Sequence, residues 1–80
     1  MRKPQSAIFW QKECVFIQDV TDGVLSGLPD YRQRVLKESF NGDVQCLIRY
    51  CEMQRKFAEA DGFDDSATYI QHCIDDLKGE

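Results

Sequence analysis

Eighty residues with 42% apolar and 11% aromatic side chains are too apolar for a disordered chain and too few for more than one small domain, which can bury only about 60 to 65% of its unfolded surface. The net charge of −4 is uneven, with six Lys/Arg against five Asp/Glu in residues 1–40 and four against nine in residues 41–80. That distribution argues against free nucleic acid as a direct partner and for a basic protein surface.

At the start of the chain, Arg2 and Lys3 precede an apolar run, Ala7 to Trp10, which Gln11, Lys12 and Glu13 interrupt at once. A signal peptide needs a longer apolar stretch. Apolar runs reach four residues, against roughly 18 for a membrane span, so a soluble, cytoplasmic protein with no membrane partner is expected. Ser6 is placed to cap a first helix running to about Thr21, with Ala7, Trp10, Cys14, Ile17 and Thr21 on one side and Phe9, Phe16 and Val20 on another. The alternative is a strand through Cys14 to Ile17 and a hairpin turn at Asp22-Gly23, between Val20 and Val24.

Gly23, Ser26, Gly27 and Pro29 mark a connection, and the fixed φ of Pro29 suits the first turn of a second helix. That helix reaches about Phe40, with Tyr31, Val35, Leu36 and Phe40 on its apolar side and Arg32, Arg34, Lys37 and Glu38 facing water. Asn41-Gly42 ends it, offering a residue for a left-handed cap.

The third helix, Asp43 to Ala60, is apolar on two opposite sides. At 100° per residue Val44, Leu47, Ile48, Cys51 and Ala58 fall on one side and Cys46, Tyr50, Met53, Phe57 and Ala60 nearly opposite, leaving Gln45, Arg49, Glu52, Lys56 and Glu59 as a narrow polar stripe. Such a helix is covered on both sides, by its own domain or by a partner. Asp61-Gly62 stops it, and a fourth helix begins at Asp64, where Asp64 and Asp65 complement the helix dipole. Ala67, Ile70, Cys73, Ile74 and Leu77 form its apolar stripe, and it ends before Gly79. The predicted fold is all-α, a compact bundle of three to four short helices with sequence neighbours roughly antiparallel, in a single domain of residues 1–80. The alternative is α+β with an N-terminal β-hairpin around Asp22-Gly23.

Chemistry-bearing residues are few. Cys14, Cys46, Cys51 and Cys73 all sit beside apolar residues in helical segments, which suits reduced core thiols. Cys46 and Cys51 are five apart, about 140° around a helix, and no pair has the spacing of a structural zinc site, so no metal or other cofactor is predicted. His72, the single histidine, projects beside Tyr69 and Asp76, away from the apolar stripe; Asp76 is placed to orient its imidazole, although an exposed side chain is the simpler expectation. Asp61-Gly62-Phe63-Asp64-Asp65 lacks the alternating oxygens of an EF-hand, and Gly23 and Gly27 lack the Lys and Ser/Thr of a P-loop. Arg32, Arg34 and Lys37 invite a helix-turn-helix comparison, but the third helix lacks the Arg, Asn or Gln array that reads base edges.

The expected function is therefore a non-catalytic protein-interaction or regulatory module. Contact would run through Cys46, Tyr50, Met53 and Phe57, with Trp10 or Phe63 as additional anchors, to another protein or to a second copy of the chain. The alternative is an acidic inhibitor or decoy that presents Asp61, Asp64, Asp65, Asp75, Asp76 and Glu80 to a basic, nucleic-acid-binding protein.

Overall fold

The computed structural model describes residues 5–26 and 31–79, with backbone alone for Tyr31 and Arg32. Ser6 caps the first helix as expected, its Oγ accepting from the Phe9 amide at 3.1 Å and its carbonyl from the Trp10 amide at 3.2 Å. That helix, α1 (Ala7–Ser26), continues past Thr21 and straight through Asp22-Gly23, so the hairpin alternative is overturned. No strand occurs among the described residues. A glycine inside a helix costs about 1 kcal/mol relative to alanine, and packing opposes that cost here: Gly23 is buried with Val20 and Thr21, and its carbonyl accepts from Gln33 Nε2 at 2.9 Å.

The second helix is α2 (Tyr31–Phe40), and a start at Pro29 lies outside the described residues. Asn41 at φ 56° and Gly42 at φ 72° turn the chain, the Asn using the left-handed region its short amide tolerates. Asp43 caps α3 (Val44–Ala60), its carboxylate accepting from the Gln45 amide at 2.9 Å. At the far end the Phe63 amide reaches back to the Ala58 carbonyl at 2.9 Å and the Gly62 amide to Glu59 at 3.1 Å, a Schellman turn with Gly62 at φ 85°. α4 (Asp64–Lys78) follows and closes on Gly79, also left-handed.

Pairs of touching residues set the helix directions. Trp10 meets Asp61 and Phe16 meets Tyr50, so α1 and α3 are antiparallel; Cys14 meets Ser66 and Gln18 meets both Tyr69 and Cys73, so α1 and α4 run the same way. The start of α3 then lies beside the end of α1. The short α2 is held to both neighbours, Gln33 near its start bonding Gly23 of α1 and Phe40 at its end packing on Tyr50 of α3. Trp10, Ile17 and Val20 of α1, Leu47, Ile48 and Cys51 of α3, and Ile70, Cys73 and Ile74 of α4 form the core, which Leu36 and Phe40 of α2 join. Among the described residues no helix is long and apolar enough to cross a membrane.

Candidate interaction surface

The two-sided apolarity of α3 has a structural origin within the chain. Leu47, Ile48, Cys51 and Ala58 are buried, with Val44 half-buried beside them. On the opposite side Tyr50 is half-buried, held edge-on by Phe40 (ring centroids 5.3 Å apart) and Phe16 (6.3 Å), and its hydroxyl donates to Glu13. Burial, reinforced by the Glu13 carboxylate, pushes the Tyr50 phenol above its ordinary range. Cys46 and Phe57 are half-buried too, whereas Met53 is 53% exposed. The four residues singled out on this side are thus divided: three pack against the chain itself, and Met53 faces outward. Trp10, offered as an additional anchor, is a core residue with no exposed surface.

Exposed apolar surface instead concentrates on the outer side of α1 and the facing side of α4. Ile8 is 65% exposed and Val15 57%, seven residues apart on one helix face, and Tyr69 of α4 is 37% exposed. Between them a groove of about 500 Å³ is lined by Ala7, Gln11, Cys14 and Val15 of α1, by Phe63, and by Asp65, Ser66 and Tyr69 of α4. Phe63 was singled out in the sequence, but as an anchor for the second side of α3 rather than for this groove. Val15 and Ile8 were not, because both lie inside an apolar run that reads as core.

Below this groove Gln18 ties α1 to α4. Its Oε1 accepts from the Tyr69 hydroxyl and from the Cys73 thiol, and its amide nitrogen donates to Asp22. The Thr21 hydroxyl in turn donates to the Gln18 carbonyl at 3.1 Å. This polar seam links α1 to α4 through Tyr69 and Cys73, and no sequence motif announced it.

The predicted acidic residues separate into two groups. Asp64 and Asp65 are exposed at the amino end of α4, while half-buried Asp75 and exposed Asp76 lie near its other end, about 15 Å away at 1.5 Å per residue. Asp61, grouped with these carboxylates from the sequence, is instead half-buried, and its Oδ2 accepts from the Trp10 indole Nε1 and from the Gln5 amide, both at 3.1 Å. It anchors the start of α1 to the turn between α3 and α4. Glu80 lies outside the described residues.

None of the four cysteines is in a disulfide. Burial, with the Cys73 thiol alongside, pushes Cys51 up to about 12, the opposite of an activated nucleophile. Cys73 and Cys14 are raised chiefly by burial as well, against opposing hydrogen bonds from Thr21 and Ser66. His72 is exposed and lines a groove of about 510 Å³ between α3 and α4 with Arg55, Glu59, Asp64, Thr68 and Gln71. There Arg55 Nη1 pairs with Glu59 at 2.5 Å while its Nε is buried without an acceptor. Among the described residues no group of three His, Cys, Asp or Glu is placed to hold a metal ion. Arg34 and Lys37 are exposed on α2, and the Arg32 side chain lies outside the described residues.

The chain matches no protein-family model, no curated protein and no solved structure.

Proposed function

We propose that this protein is a small non-catalytic interaction module that binds another protein through the apolar groove between α1 and α4. The observation that carries this reading is a concave surface lined by the exposed Val15 and Tyr69 together with Phe63 and Cys14, with exposed Ile8 two turns from Val15 on the same face of α1. Scattered exposed apolar residues need no explanation, but Val15 and Tyr69 line one groove beside half-buried Phe63. Support of a second kind comes from the thiols: burial raises Cys14, Cys51 and Cys73, which fits packing rather than catalysis. The same four free cysteines are compatible with a reducing, cytoplasmic setting, which is part of this reading.

The test is site-specific photo-crosslinking in living cells from Val15, with Arg49 on the polar stripe of α3 as the control. A discrete adduct from Val15 and none from Arg49 supports the reading. If Val15, Ile8 and Met53 all give no adduct, the interaction module is abandoned. Sedimentation at two concentrations separates the two kinds of partner, since a second copy of the chain would give a dimer that persists at high salt.

The acidic inhibitor remains a second reading because Asp64 and Asp65 stand exposed together at the amino end of α4. It requires carboxylates to carry the affinity, so partner binding would weaken steeply with ionic strength and on charge reversal at those two positions.

A further inference from the structure

Two rims, one on each helix, frame the α1–α4 groove, and the sign of their charges identifies an occupant. Along α1 the outer rim reads Ile8, Lys12, Val15, Asp19, Asp22, at spacings of four, three, four and three. Along α4 the rim reads Asp65, Tyr69, Asp76, at spacings of four and seven, and all three are exposed. The two helices run parallel, so both rims carry acidic residues at the end where Gln18 meets Cys73. Tyr69 lies within electrostatic reach of Asp19 and Asp22, and Cys73 within reach of Asp22 and Asp76. Asp65 holds the other end. Against these carboxylates the α1 rim carries Lys12. The result is a groove whose lining on α1 runs from Ala7 to Val15, about 12 Å at 1.5 Å per residue, with Asp65 at one end and the Asp19, Asp22 and Asp76 carboxylates beyond the other.

The geometry points to a basic amphipathic helix of another protein as the occupant of this groove. This rests on the interaction reading above and adds the chemistry of the partner. An apolar stripe of the incoming helix would cover Val15, Ile8, Phe63 and Tyr69, and lysines or arginines on both flanks would meet Asp65 at one end and Asp19, Asp22 and Asp76 at the other. A second copy of the chain is disfavoured because its α1 and α4 would bring the same carboxylates against these.

The probe is an 18-residue synthetic helix of leucine and lysine, titrated into the uniformly ¹⁵N-labelled full chain. Two controls accompany it: the same residues in a permuted, non-amphipathic order, and a leucine and glutamate helix of the same pattern. The expected result is a set of amide shifts centred on Ala7, Gln11, Val15, Phe63 and Tyr69. The permuted peptide and the Val15→Ser variant should each raise Kd about tenfold, and a combined Asp65→Asn, Asp76→Asn variant should raise it less and flatten the salt dependence. Val15 is exposed, so its replacement leaves the fold intact, which the unperturbed spectrum of the free variant verifies. The proposal is overturned if the leucine and glutamate helix binds as well, if the shifts centre on Met53, or if no shift occurs. A Val15 crosslink in cells combined with a null titration would discard the basic helix while leaving the interaction module standing; absence of crosslinks from every exposed apolar position would discard both.

Discussion

Asp61 shows how one carboxylate can be read as surface and act as structure. Its Oδ2 accepts from the indole of the fully buried Trp10 and from the Gln5 amide. Asp61→Ala leaves the indole N–H without an acceptor, at about 1 to 3 kcal/mol. Thermal unfolding should register a fall of roughly 4 to 8 °C for each kcal/mol, whereas Asp64→Ala and Asp65→Ala, which remove only dipole and solvent contacts, should cost about 0.3 to 1 kcal/mol. Equal effects at all three positions would refute the anchoring role. Thiol chemistry sorts at this scale too. Cys14 and Cys46 are half-buried and Cys51 and Cys73 buried, so a maleimide should label the first two in the native protein and the other two only on unfolding.

At the level of the helices, local signals decided most boundaries. Ser6 and Asp43 cap as their side-chain chemistry directs, and Asn41-Gly42, Gly62 and Gly79 supply left-handed turns where three helices end. Gly62→Ala places a Cβ in open space but at φ 85°, so only backbone strain acts, at about 1 to 2 kcal/mol. Asp43→Ala loses the bond to the Gln45 amide and should cost about 0.5 to 2 kcal/mol by urea denaturation. The one local signal that misled was Asp22-Gly23. A dipeptide that favours a tight turn in isolation is held helical by burial of Val20, Thr21 and Gly23 and by the Gln33 bond from α2, contacts no window of the sequence contains.

Across the whole molecule, buried acidic hydrogens make stability sensitive to alkali. Cys51 is raised from 9.0 to about 12 and Tyr50 is raised from its ordinary 10.0, both mainly by burial. A group whose folded pKa lies above its unfolded value contributes stability fully present below the unfolded pKa and lost as pH rises through the folded one. The contribution of Cys51 should therefore be constant below about pH 9 and disappear between about 9 and 12, with a falling melting temperature over that window. Cys51→Ala should flatten the early part of that decline. A melting temperature unchanged between pH 8 and 11 would show that neither group is buried in its neutral form.

The amino-acid order by itself favoured an all-α chain while leaving a hairpin at Asp22-Gly23 open, placed the caps and stops of α3 and α4, and showed that α3 is apolar on two opposite sides, because capping, left-handed turns and helical periodicity act over a few residues. It could not say what provides that cover. Antiparallel α1, with Glu13 and Phe16 from far along the chain, and α2, with Phe40, meet Tyr50. Parallel packing of α1 against α4 then leaves Val15 and Ile8 outside the core although their apolar runs look internal. Which apolar residue becomes core and which becomes groove is decided by how helices of similar pattern pair in space, since burial is a property of the assembled surface and not of any single helix.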